Sequence, residues 1–384
     1  MLKKAAALVL VCASVGIYVS CGITEGRLLY AAIPSANELV VYREDPNSGA
    51  LTQLVGSPIA AGPGVRALAL HPKQKFLYAA NSGENDVSVF NVATTGALTE
   101  QTPRTAVGTA PTLIAMDADG TYLYVGNTGQ QPSISVFSID QTSGALTPVP
   151  QPPGTSNTAY IGLTPINMTV SGSFLYVTGQ GLQGYVLAFP LNNGVLGTPP
   201  PGSPYLAGNN PYGLTTITIS GASYLYTANK LDNSLSEFSI NADGSLTALP
   251  GNPISINFTG PTALLTDPLN RYLFVADQGS GNLDGFSIGG SGTGSSGSGS
   301  SGSGGSGSGG AVGSLNLLPS APFATKTAPT ALAVDSVGRY VFVAGQTTPG
   351  SLQSFFLAGV NGTLTLIKSY SIAPGAATSM VLTK

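Results

Sequence analysis

The chain of 384 residues has little charge: Lys, Arg, Asp and Glu make up only 8% of it, and the formal net charge is −3. An ordinary soluble domain carries about a quarter charged residues. The fourteen basic residues are scattered, so there is no basic stripe to follow a phosphate backbone, and no nucleic-acid partner is expected. There is a single histidine, His71, no tryptophan, and only two cysteines, Cys12 and Cys21. One imidazole and two thiols exclude a Cys/His zinc module and a disulfide-stapled scaffold. No cofactor or metal is expected. A Gly-x-Ser-x-Gly elbow set between a strand and a helix is also missing, which leaves a serine-hydrolase assignment without support.

What the chain has in quantity is glycine, with 51 residues, proline, with 28, and a 42% hydrophobic fraction. Turn-formers at that density are poor for long helices and good for many short strands. The apolar fraction suffices for a sizeable core and argues against global disorder.

Residues 1–20 read as an export signal. Lys3 and Lys4 precede an uncharged, mainly apolar run from Ala5 to Val19, which is short for a spanning helix of about 20 residues. Ser20 and Cys21 then resemble a bacterial lipoprotein cleavage box, with Tyr18 standing where that pattern usually has Leu. The resemblance implies lipidation at Cys21, an N-terminal tether over 21–26, and a cell-envelope location. Plain secretion is the alternative. Contact with a membrane is expected only through that anchor.

Three markers recur along the remainder. An apolar-aromatic pair appears as Leu29-Tyr30, Leu77-Tyr78, Leu123-Tyr124, Leu175-Tyr176, Leu225-Tyr226, Leu273-Phe274 and Val341-Phe342. The aromatics are spaced by 48, 46, 52, 50, 48 and 68 residues. A second aromatic follows at Tyr42, Phe90, Phe137, Phe189, Phe238, Phe286 and Phe355, and a turn glycine at 49, 96, 144, 194, 244, 313 and 362. Seven copies of four strands each are predicted: a strand after Pro, the Leu-Tyr strand, an alternating strand such as Val87-Ser88-Val89-Phe90, and an outer Gly-x-Leu-Thr strand. Repeats of roughly 40–50 residues with four strands are the size of a propeller blade. The prediction is an all-β, seven-bladed β-propeller over 27–384.

Copy one lacks an innermost strand, whereas Ala377–Leu382 resembles one at the other end of the chain. That segment is predicted to complete blade one and close the ring, removing an exposed sheet edge. The 68-residue interval is explained by residues 289–310, which are Gly and Ser apart from Thr293. They read as a flexible insert between the third and fourth strands of blade six.

The Leu-Tyr-Val-x-Asn and Gly-Ala-Leu-Thr elements resemble the YVTN-type repeats of lactonase-family propellers, which include 6-phosphogluconolactonase-like and carboxymuconate-cyclase-like proteins. The best stretch is Gly64-Val65-Arg66-Ala67-Leu68-Ala69-Leu70-His71-Pro72, followed by Lys75–Asn81. The resemblance implies a functional arginine at Arg66. It also implies a histidine where Ala67 stands and an acidic residue where Ser82 stands, with Glu84 two positions further on.

Arg66 and Glu84 are therefore the candidates for catalysis, and Arg66, Asn81, Asn127, Asn229 and Asp277 those for binding at the channel mouth. Thr112, Thr262 and Thr330 occupy the position of Arg66 in other copies. His71 is expected to be a polar turn residue on the opposite face, with Asp117, Asp267 and Asp335 in equivalent turns. Lactone opening by water needs a general base and a partner for the oxyanion, and the usual imidazole is replaced here by Ala67. The reading preferred on these residues is a non-catalytic, monomeric binding protein that takes a small molecule, glycan or protein at one face of the propeller. A lactone hydrolase and a structural surface component are the alternatives.

Overall fold

The computed structural model describes residues 26–152, 154, 156–256, 259–290, 311–325, 327–373 and 375–384. The export signal, Cys21 and nearly all of the Gly/Ser insert lie outside the described residues. Within them, every regular element is a strand.

The strands form seven antiparallel sheets arranged as the blades of a propeller. Blade two shows the plan: Val65–Leu70 is innermost, followed outward by Phe76–Asn81, Asp86–Val92 and Leu98–Ala106. The second strands are almost wholly buried, because each blade is covered on both faces by its neighbours; Leu28–Ile33, Phe76–Asn81 and Tyr272–Asp277 are buried at every residue. Such strands lose the hydrophobic-polar alternation of a half-exposed sheet, and this accounts for the continuous Leu-Tyr-Ala-Ala and Leu-Phe-Val-Ala runs. The core is divided into seven apolar clusters, one at each blade-blade contact. Between blades one and two, for example, Tyr30, Leu39 and Val41 meet Val65, Leu77 and Phe90.

The ring closes as the sequence predicts. Ser379–Leu382 pairs antiparallel with Leu28–Ile33, setting Leu29 opposite Leu382 and Ala32 opposite Ser379. Either side of the Gly/Ser insert, Asn282–Ile288 and Leu315–Leu317 pair as third and fourth strands of one blade. The outer edge is less regular than a plain four-strand blade. In five blades the fourth strand is only two or three residues long, and a further short segment, such as Ile59–Ala60 or Phe323–Ala324, pairs higher on the third strand. Blades two and seven carry an unbroken nine-residue outer strand instead.

The alternation of strands gives the disc two distinct faces. Inner strands begin at the mouth face, near Arg66, and end at the far face, near His71. The start of Leu28–Ile33, the turn at Gly289 and Gly290, and the end of Ser379–Leu382 all belong to the far face.

His71 holds its turn on that far face. Its ring is fully buried, with Nε2 3.1 Å from the Gly120 carbonyl and Nδ1 accepting the Lys73 amide at 3.1 Å. This pairing fixes the neutral Nε2-protonated form, and desolvation lowers the ring's pKa. Asp117, Asp267 and Asp335 do the same work in other blades; Asp117 accepts the amides of Thr121 and Tyr122 at 2.7 and 2.8 Å.

Candidate functional site: the channel mouth

One local irregularity builds the mouth. In six inner strands the pairing with the second strand skips a residue near its start: Val65 pairs Asn81 and Ala67 pairs Ala80, leaving Arg66 unpaired between them. Thr112, Ile166, Tyr212, Thr262 and Thr330 are skipped at the corresponding place. A β-bulge of this kind re-aims the side chain of the extra residue. All six, joined by Thr378 at the start of the closing strand, line one cavity of about 610 Å³. A second cavity of about 510 Å³ shares Arg66, Tyr212, Thr262, Thr330 and Thr378 and adds Lys230, Gln278 and Gln346 at the rim.

Three of the threonines are also structural. Thr262 Oγ1 donates to Ala276 at 3.2 Å and reaches Pro329 of blade seven at 3.4 Å. Thr330 donates to Ala377 at 2.8 Å, and Thr378 to the carbonyl of Arg66 at 2.8 Å. These bonds tie neighbouring inner strands together. They leave Arg66 and Lys230 as the charged groups of the mouth. Arg66 is exposed, and among the described residues its guanidinium has neither an ion pair nor a hydrogen bond. Lys230 donates to Gln278 Oε1 at 2.8 Å and lies 4.9 Å from the centre of the Tyr212 ring. Neither cavity is lined by an aspartate, glutamate or histidine among the described residues. Two cations with no opposing carboxylate favour an anionic group on a ligand, and the half-exposed Tyr212 offers a flat apolar surface beside them.

The structure separates Arg66 from the other sequence candidates. Asn81, Asn127 and Asn229 are fully buried inside their blades. Asn81 Nδ2 donates to Asp86 and Ser88 at 2.7 and 2.9 Å, Asn127 to Ser133 and Ser135, and Asn229 to Ser234 and Ser236. A Cβ added at Gly62, Gly108 or Gly208 would collide with these amides, so the preceding loops seal them from the channel. They are internal fasteners, not a polar ring at the mouth. Asp277 takes the same buried place in blade six. Glu84 sits away from the mouth lining and pairs with Arg104 at 2.6 Å. Asp232, another carboxylate of the blade loops, holds the Asn209 amide and side chain at 2.7 and 2.9 Å.

Sequence reasoning missed Tyr212, Ile166, Thr378 and Lys230. The first three were accessible from the register that aligns Thr112, Thr262 and Thr330 with Arg66. Lys230 carried no such signal, because it follows the buried Asn229 and reaches the mouth from a turn.

Seven blades of four or five strands around a bulge-lined channel define a seven-bladed β-propeller with an anion-favouring mouth. The family model for the seven-bladed β-propeller lactonases matches residues 26–163 and 166–295, and the chain belongs to that family. A 116-residue stretch, 28% of this chain, is 31% identical to the 6-phosphogluconolactonase of Bacillus subtilis strain 168 and spans 32% of that relative's length. The crystal structure of a protein from Lactobacillus plantarum superposes with a TM-score of 0.73 at 17% identity, covering 94% of this chain and all of that one. The periplasmic gluconolactonase of Pseudomonas aeruginosa gives 0.67 at 19% identity, covering 94% of this chain and 99% of its own. These two likenesses are likenesses of fold.

Proposed function

We propose that this propeller is an exported binding protein, tethered at Cys21, whose mouth takes a small polyhydroxylated anion such as a sugar acid. The observation that carries this reading is the unpaired Arg66 guanidinium in a cavity lined by Lys230, Tyr212 and threonines and by no carboxylate or imidazole among the described residues. A guanidinium grips a carboxylate or phosphate, while hydroxyl and amide groups suit a polyol. Hydrolysis of a lactone asks in addition for a positioned base, worth about 10²- to 10⁴-fold. Ala67 supplies none, and Glu84 is committed to Arg104. The partial likeness to a 6-phosphogluconolactonase favours lactone hydrolysis as the second reading.

Calorimetric titration of the mature chain with gluconate and 6-phosphogluconate, run beside a lactone-hydrolysis assay, distinguishes the two. Binding that weakens about tenfold or more in Arg66→Ala and in Lys230→Ala, a loss of about 1.4 kcal/mol or more, with lactone loss no faster than buffer, is the expected result. Lactone turnover that disappears in Arg66→Ala would establish the hydrolase.

A further inference from the structure

In three blades an asparagine at the end of the second strand donates to a serine on the third: Asn81 to Ser88 at 2.9 Å, Asn127 to Ser135 at 3.0 Å, and Asn229 to Ser236 at 2.9 Å. Blade six has Asp277 and Asp284 at these two places. Both are completely buried, and none of their four carboxyl oxygens has a donor from any other group.

Nothing charged faces them. The inner strand Pro261–Thr266, the outer segment Phe323–Ala324 and the adjoining inner strand Ala328–Val334 hold no ionisable side chain. Ala222–Asn229 of blade five brings only the phenols Tyr224 and Tyr226, and Ser234–Ile240 brings Glu237, whose Oε1 accepts the Leu315 amide of blade six at 3.0 Å. On the dyad's own strands the remaining titratable group is Tyr272, at the far-face end, where its hydroxyl meets Gly359. Lys230 commits its ammonium to Gln278 and the Tyr212 ring.

We propose that Asp277 and Asp284 share one proton as a carboxylic acid–carboxylate pair, making the mouth-side end of blade six a pH-sensitive element that loosens as the proton leaves. Two touching carboxylates without a counter-ion cannot both be charged away from water. Desolvation raises both acids, and contact with Asp284 raises Asp277 further. The sign follows. An acid whose pKa is raised by folding keeps in the folded chain a proton that the unfolded chain releases above the ordinary carboxylate range. Stability is then greatest at acid pH and falls as pH rises, tenfold in the unfolding constant per pH unit, until the pair itself ionises.

The pair is next to the mouth. Asp277 pairs with Pro261, immediately before the bulged Thr262. Gln278 follows, bonded through its amide to Gly260 at 3.1 Å and through its side chain to Lys230. Loss of the proton puts a second negative charge beneath this junction, next to the Gln278 that holds Lys230.

The test is denaturant unfolding of the mature chain between about pH 5 and 9, beside Asp277→Asn and Asp277→Asn/Asp284→Ser, the latter recreating the pair of blades three and five. The ratio of wild-type to variant unfolding constants should change about tenfold per pH unit over the window in which the proton is held. Parallel pH profiles would overturn the proposal. So would calcium restoring wild-type stability at alkaline pH, since the pair would then be a cation site. Should the variants fail to fold, infrared spectra of Glu44→Gln/Glu237→Gln, which removes the two other strongly shifted acids, decide the matter. A protonated-carboxyl band at neutral pH supports the shared proton, and its absence overturns it.

Discussion

The Tyr226 hydroxyl donates to the carbonyl of Gly313 at 2.7 Å, fastening the second strand of blade five to the turn that re-enters blade six after the Gly/Ser insert. The same bond joins Tyr30 to Gly96, Tyr78 to Gly144 and Tyr176 to Gly244, at 3.3, 2.9 and 3.0 Å. Where the repeat has Phe274 or Phe342, a tyrosine two residues earlier takes over: Tyr272 bonds Gly359 and Tyr340 bonds Asn47. At the remaining contact Gln151 reaches the Gly194 carbonyl. Two sequence markers, the Leu-Tyr strand and the Gly turn, are thus the two halves of one fastener between neighbouring blades.

Tyr226→Phe removes a buried bond and strands a carbonyl while leaving the ring in place. It should cost about 1–2 kcal/mol, read as a lower urea midpoint with an unchanged slope.

The turn glycines are required twice over. Gly144 has φ +76°, and a Cβ there would lie 2.5 Å from the Phe76 ring; Gly221 has φ +84° with nothing within 4 Å. Gly221→Ala should cost only the left-handed backbone penalty of about 1–2 kcal/mol. Gly144→Ala adds overpacking of about 1–3 kcal/mol. Equal losses in thermal melts of the two variants would show that the ring contact is slack.

Joining Gly290 to Ala311 shortens the connection between two strands that already pair. Loop closure changes by about 0.6 kcal/mol per doubling of length, so the deletion should leave the melting temperature unchanged or slightly raised. A large fall would mean that the insert is packed on the blade.

Glu237 is buried in blade five and its Oε1 accepts the Leu315 amide at 3.0 Å; desolvation lifts its pKa to about 7. A carboxyl raised by folding contributes most below its unfolded value and loses that contribution as pH rises through the folded one. Glu237→Gln keeps an acceptor for Leu315 without the buried charge. It should match the wild type in acid and exceed it at alkaline pH, as judged by denaturation midpoints across the pH range.

Blade number, blade order and ring closure were legible in the sequence because each blade solves the same packing problem and so repeats the same residues. Met380 and Leu382 could be paired with Leu29–Ala32 from pattern alone. The site was less legible. A bulge shifts register by one residue and leaves no mark in composition, so Tyr212 could be reached only by aligning it with Arg66 through the repeat. Asn81, Asn127 and Asn229 were expected at the channel mouth, although the serines at 88, 135 and 236, and the glycines at 62, 108 and 208, were the cue that they turn inward. Arg66 was found because the family resemblance places a functional arginine at that position.

The closing strand also sets a clock. Leu28 donates its amide to Thr383, 355 residues further along the chain, and accepts that residue's amide in return. At synthesis rates of about 5–20 residues per second, the edge at Leu29–Ala32 waits roughly 20–70 s for its partner. Through that interval Leu28–Ile33 is paired on its outer side with Glu38–Glu44 alone, and its inner edge stays unpaired. A chain interrupted anywhere before its last few residues keeps that edge open permanently, so the ring can close only in the final moments of synthesis.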